Sequence, residues 1–111
     1  MGMAHFLYLG SYTQEGRKGL VADGGSKRRE VVEGLARSAG GKLVYFSFAI
    51  GEHDLVAIID VPDTAAALVA PLIVGSLGIA NITTVSLLDP STLDDVAARI
   101  KKATNRAPGA N

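Results

Sequence analysis

The sequence predicts an α+β domain: four strands and two helical segments in the order β-α-β-β-α-β, then a terminal helix. Three observations carry that prediction. The strand-like runs "KLVYFSFA" (residues 42–49) and "DLVAIIDV" (54–61) are separated only by Ile50-Gly51-Glu52-His53, which makes them an antiparallel hairpin. A helical segment and a further strand-like run lie on each side of that hairpin. Two strand–helix–strand units laid together give a four-stranded antiparallel sheet with its helices on one face.

Taken in order, "HFLYLGS" (5–11) is rich in aromatic and branched residues and closes at Gly10, the pattern of a first strand. Thr13 can cap a short helical turn, but Gly16, Gly19, Gly24 and Gly25 argue against continuous helix before residue 26. From there Ser26 can cap a helix whose Val31, Val32, Leu35 and Ala36 share a face. Gly40-Gly41 stops it, one of the two in a left-handed conformation. After the hairpin, Pro62 breaks the strand and Asp63 caps a helix over 64–77, apolar nearly all round and kinked by Pro71. "NITTVSLLD" (81–89) is the last strand, and Ser91 can cap a helix with Leu93, Val96, Ala97 and Ile100 on one stripe. Residues 1–4 read as an N-terminal extension, 5–103 as the domain and 104–111 as a disordered tail.

Composition excludes several classes of function. The 111 residues suffice for one core, and 11 basic side chains balance 11 acidic ones, so nothing points to electrostatic capture of nucleic acid. There is no cysteine, hence no disulfide frame and no thiolate metal site. The N-terminal stretch lacks the basic start and long apolar run of a signal peptide, and no run is long enough to cross a membrane, so a cytoplasmic location is expected. Apolar residues nevertheless make up 48% of the chain. In the hairpin both alternating sets are apolar: Leu43/Tyr45/Ser47 and Val44/Phe46/Phe48 in one strand, Leu55/Ala57/Ile59 and Val56/Ile58 in the other. One helical layer cannot cover both faces of such a sheet, and the natural cover is the sheet of a second copy. A homodimer is expected, and the apolar helix at 64–77 offers a contact for a larger oligomer.

The stretches "GSYTQEG", "GGKLVYFSFAIGEHDLVAIIDVPD" and "ITTVSLL" resemble the GYD-domain proteins, small bacterial proteins of unassigned chemistry in the dimeric α/β-barrel superfamily. The resemblance covers about residues 5–99. Its most specific part is the Gly-x-x-Asp corner followed by an apolar strand and a Pro-Asp pair; the corner is usually similar to Gly-Glu-Tyr-Asp, and His53 stands here at the aromatic position. A similar corner occurs in the amino-acid-sensing domains of Lrp/AsnC-type regulators, whose DNA-binding helix-turn-helix this chain lacks. The resemblance implies a ferredoxin-like protomer and a dimeric α/β barrel formed by facing sheets. It implies no activity, because that fold hosts oxygenases, isomerases, haem-degrading enzymes and sensing domains alike.

Among candidate site residues, Gly51 and Asp54 read as a structural corner, with Gly51 at positive φ and Asp54 accepting from backbone amides. His53 is the single candidate acid/base, and the favoured role for it is packing. Tyr8, Ser11, Tyr12, Tyr45 and His53, with His5, could line a ligand-binding cavity; core tyrosines with hydroxyls at the rim are the commoner arrangement. Two histidines without ligand spacing give no metal site, and no cofactor is expected; haem, which needs one axial histidine, stays open. "SKRRE" (26–30) could meet an anion at a helix start but reads better as a solvated helix face. Three functions follow: a small-ligand binding or sensing domain, ranked first; a cofactor-independent oxygenase or isomerase using His53; and an oligomerisation module without ligand.

Overall fold

A computed structural model of the chain describes residues 2–106. Its elements are β1 (Ala4–Tyr12), α1 (Gln14–Asp23), α2 (Gly25–Ser38), β2 (Lys42–Phe48), β3 (Leu55–Val61), α3 (Thr64–Ala67), α4 (Val69–Ser76), β4 (Ala80–Leu87) and α5 (Pro90–Arg106). The strands form one sheet in the order β2-β3-β1-β4, every neighbouring pair antiparallel. The two strand–helix–strand units are therefore interleaved, as in the split β-α-β motif.

Alternation places the core. Phe6, Tyr8 and Tyr12 of β1 and Leu55, Ala57, Ile59 and Val61 of β3 are buried, together with Ala36 of α2 and Ala67 of α3. The intervening residues point the other way: Leu7, Leu9, Val56 and Ile58 are only half-buried, and Tyr45 and Val85 are exposed. The helices thus cover one face of the sheet and leave an apolar face open.

Several elements depart from the sequence expectation, each for a local reason. The segment after Thr13 is a full helix, not a single turn. The Thr13 hydroxyl caps it by accepting from Gly16 N at 3.1 Å, while Thr13 N donates to the Ile79 carbonyl. Gly16 is buried there because a Cβ would stand 2.0 Å from that same carbonyl oxygen. α2 starts at Gly25 after Gly24 (φ 84°), one residue before the expected Ser26 cap, with no side-chain cap. Its stop is as expected: Gly40 has φ 84° and Gly41 N returns to the Ala36 carbonyl.

β2 holds a register shift between Leu43 and Tyr45, so Leu43 and Phe46, opposite Ile59 and Ala57, pack on the core side. Tyr45 and Ser47 oppose Ile58 and Val56 on the open side. Strict alternation had grouped Leu43 with Tyr45; the bulge at Val44 separates them.

The helix expected over 64–77 is two. Asp63 caps the first as anticipated, its Oδ1 accepting from Ala66 N at 2.9 Å, and the break falls at Leu68. Pro71 has no N–H to return to the carbonyl four residues back, that of Ala67. The freed carbonyl accepts the Tyr8 hydroxyl at 2.5 Å, so a strand side chain supplies the missing donor. α5 begins at Pro90, which leaves Ser91 inside its first turn rather than at its cap. Residues 104–106, expected in the tail, are its last residues; 107–111 lie outside the described residues. From Pro90 to residue 105 only Thr92 is partly covered, so α5 projects with Leu93, Val96 and Ile100 exposed.

Candidate functional site

Between the sheet and the helical layer lies a cleft with about 530 Å³ of space not filled by protein atoms, its open mouth included. The floor is Tyr8 and Tyr12 from β1, Leu55 and Ala57 from β3, and Ala80 and Ile82 from β4. The walls are Val31, Val32 and Leu35 of α2, and Ala70, Pro71 and Val74 of α4, with Ile79 at one end. Small residues make the room: Ala57 and Ala80 stand where larger strand residues would close it. Apolar walls interrupted by few polar groups are the usual lining of a small-molecule site.

Three polar side chains interrupt the lining. The Tyr8 hydroxyl is committed to the Ala67 carbonyl, and burial pushes its pKa up to about 12. Tyr12 Oη is buried and has no hydrogen-bond partner among the described residues, and Arg28 Nε is in the same position. Burial raises the Tyr12 pKa, opposed by the charge of Arg28 and assisted by that of Asp54. The Arg28 guanidinium lies over the Tyr12 ring, 5.8 Å from its centroid, a cation–π geometry. It passes beside Gly19, where a Cβ would come within 3.0 Å of Nη2, so the glycine in α1 makes room for it.

Arg28 corrects the reading of "SKRRE" as a wholly solvated face. Ser26, Lys27, Arg29 and Glu30 are exposed, whereas Arg28 is half-buried and lines the cleft. The signal was in the spacing: residue 28 precedes Val32 by four and Leu35 by seven, which puts it on the inward stripe of α2.

The Gly-Glu-His-Asp corner supports one end of the cleft. Gly51 has φ 153°, which side-chain-bearing residues rarely adopt. Asp54 ties the hairpin loop to the end of β1 with its carboxylate, Oδ2 accepting from Tyr12 N at 2.8 Å. Its backbone holds two more bonds, Asp54 N to the Gly10 carbonyl at 2.7 Å and Ala49 N to its own carbonyl at 2.8 Å. The corner thus fixes the backbone of Tyr12, one of the residues with an uncommitted polar atom in the cleft.

The other candidates are dispersed. His53 is half-buried, its Nδ1 enclosed without a partner among the described residues, and it does not reach the cleft. Ser11 and Tyr45 belong to the open sheet face, away from Tyr8 and Tyr12, because successive strand residues alternate. The expected cavity residues are therefore only partly brought together: Tyr8 and Tyr12 in the cleft, Ser11 and Tyr45 behind the sheet, His53 beside neither.

His5, also on the open face, is the histidine with carboxylate partners. It sits opposite Asp60 in the β1/β3 register, and its Nδ1 pairs with Asp60 Oδ1, with Asp89 Oδ1 3.9 Å from Nε2. The hydrogen bond that the His5 ring donates to Asp60, and then the Asp60 charge, raise the His5 pKa above the ordinary value. Among the described residues no group of three or more His, Cys, Asp or Glu side chains could hold a metal ion. No helix among them is long and apolar enough to cross a membrane.

Comparison with known proteins adds one finding. No curated protein and no solved structure matches the chain. The family model described as GYD domain matches residues 6–97, from the first core residue of β1 into α5 and across the cleft and the corner, and the chain belongs to the GYD-domain family.

Proposed function

We propose that the protein is a small-ligand binding or sensing domain that homodimerises through the open face of its sheet. The observation that supports ligand binding is the cleft itself. A module that only builds oligomers has no use for a hollow between sheet and helices, since filling it with larger side chains would add apolar burial at about 25 cal/mol per Å². Here Ala57, Ala70 and Ala80 keep it open, and the only uncommitted buried polar atoms in its lining are Tyr12 Oη and Arg28 Nε. The acid/base alternative at His53 draws no support from this geometry, because the ring stands outside the cleft.

The dimer rests on a separate observation. Leu7, Leu9, Val56 and Ile58 form a continuous apolar strip across the two central strands, with no helix among the described residues packed over it. Covering such a strip with the same strip of a second copy gives an isologous contact between sheets, a dimeric α/β barrel.

The test is a panel of small apolar molecules screened by thermal shift and confirmed by nuclear magnetic resonance titration, against the protein and its Val74→Phe variant. Binding should perturb residues of β1, α2 and α4 and be lost when Phe narrows the mouth. A panel that leaves the cleft resonances unmoved would defeat the binding reading.

A further inference from the structure

We propose that the ligand of the cleft is a small apolar monoanion, a carboxylate on a short aliphatic or aromatic body, with Arg28 and Tyr12 holding its head group. This rests on the reading of the cleft as a ligand site and goes beyond it by assigning the ligand's charge and shape. Buried polar atoms in folded proteins almost always have partners, so each orphan calls for an explanation. Two of them, Tyr12 Oη and Arg28 Nε, belong to residues that line this one cleft.

Both atoms are donors. A guanidinium nitrogen only donates, and a phenol that keeps its proton can donate to a strong acceptor. Burial keeps that proton on Tyr12 by raising its pKa. No carboxylate among the described residues forms an ion pair with Arg28, so none of them neutralises its charge. The stacking on Tyr12 and the space beside Gly19 hold the guanidinium in place without using its N–H groups. The nearest acid to Tyr12, Asp54, already accepts from the Tyr12 backbone amide.

The remaining lining is carbon, which selects an apolar body and excludes a highly charged ligand. With one cation, the site can neutralise one negative charge; a phosphate dianion would be left with oxygens facing Val31, Leu35 and Val74. A carboxylate presents two oxygens to the two donors, and charge-assisted bonds of this kind are about twice as strong as neutral ones.

The experiment uses matched probes on the full chain: benzoate against benzamide and benzylamine, and hexanoate against hexanamide, each by ¹⁵N nuclear magnetic resonance titration including the Arg28 Nε–H signal. One of the two carboxylates should bind at least tenfold more tightly than its amide and shift that signal, and benzylamine should bind least. Arg28→Met should reduce the carboxylate to the affinity of its amide, and Arg28→Lys should keep part of the difference. Tyr12→Phe should weaken the carboxylate severalfold and leave the amide nearly unchanged. Amides binding as tightly as carboxylates would overturn the monoanion assignment while leaving the cleft a ligand site. If no carboxylate, amide or amine perturbs the cleft, this assignment and the ligand-site reading both fail. The carboxylate–amide comparison is made on the native protein, so a variant that unfolds does not remove the test.

Discussion

Tyr8, Ala67 and Pro71 make a closed account that mutation can open. Pro71 removes the N–H that a regular helix would aim at the Ala67 carbonyl, and the Tyr8 hydroxyl donates to that carbonyl at 2.5 Å in its place. Tyr8 is 4% exposed and Ala67 fully buried, so water cannot replace the bond. Tyr8→Phe removes the donor, keeps the ring and orphans a buried carbonyl, a change that costs about 1–3 kcal/mol. We expect about 2 kcal/mol, or about 10 °C in melting midpoint for a domain of this size. In a Pro71→Ala background the helix regains an N–H four residues after Ala67, and the same Tyr8→Phe change should cost about 1 kcal/mol less. Urea unfolding of the four proteins at one fixed concentration, followed by circular dichroism, gives the coupling directly. Equal costs in both backgrounds, within about 0.5 kcal/mol, would show that Pro71 and Tyr8 do not share the carbonyl. Alkaline pH gives an independent reading. The folded pKa of about 12 lies above the ordinary tyrosine value of 10.0, so the unfolded chain releases this proton first. Stability should therefore fall as pH rises above 10, by up to about 1.4 kcal/mol per pH unit until about 12, and Tyr8→Phe should lack that component.

Further outcomes are expected elsewhere. Asp54→Ala should destabilise by about 2 kcal/mol in urea unfolding, since the bond to Tyr12 N is the only one its carboxylate makes among the described residues and both backbone bonds of residue 54 survive; an unchanged midpoint would refute its role as a tie. Gly16→Ala should cost more than about 3 kcal/mol, because its Cβ would meet the Ile79 carbonyl oxygen at 2.0 Å, and an unaltered thermal midpoint would contradict that packing. His53→Phe should leave the midpoint unchanged or higher, as it removes an enclosed nitrogen without a partner; a fall of more than about 1 kcal/mol would indicate a bond to that ring. The His5–Asp60 pair should favour the folded state fully below pH 6.5 and lose that contribution as pH rises through the elevated His5 pKa; Asp60→Asn should bring the His5 titration, followed by nuclear magnetic resonance, back toward 6.5. Leu9→Glu or Ile58→Lys on the open face should give a monomer in sedimentation, and a native protein that is itself monomeric would refute the dimer.

The strands were legible because apolar runs bounded by Gly and Pro leave few alternatives. That Asp54 accepts from a backbone amide was expected of the corner, but the expected amides were nearby ones of the hairpin, whereas the one it meets is that of Tyr12 on β1, distant in sequence. α1 was not legible, since Gly16 and Gly19 count against helix by propensity while their real causes are tertiary. One lets the helix press on the Ile79 carbonyl and the other admits Arg28. The bulge at Val44 was hidden because both phases of β2 are apolar, so alternation had no polar residue to betray the slip. A pocket between sheet and helices was one of two expected places, the dimer interface being the other, but its lining was not legible. Its lining is mostly ordinary aliphatic residues with two tyrosines, drawn from five elements, and only their arrangement leaves a hollow. Ser11, Tyr45 and His53 were grouped with Tyr8 and Tyr12 by chemical type, whereas strand parity and loop geometry send them elsewhere.

The projecting α5 has a consequence for how this chain acquires its final structure. Its 17 residues make no extended contact with any other element of the chain, and an i,i+4 pair, Arg99 Nη2 to Asp95 Oδ2 at 3.0 Å, is among its few internal supports. Helices only slightly shorter are marginal in water when nothing packs on them, because nucleation is costly and each added residue returns little. On the proposed dimer the helicity of this segment is governed by mass action. Whatever covers Leu93, Val96 and Ile100 stabilises the helix as it binds, so dilution should melt α5 while the sheet persists. Far-UV ellipticity measured across a thousandfold range of protein concentration would then report encounters between molecules, although the signal itself arises inside one chain.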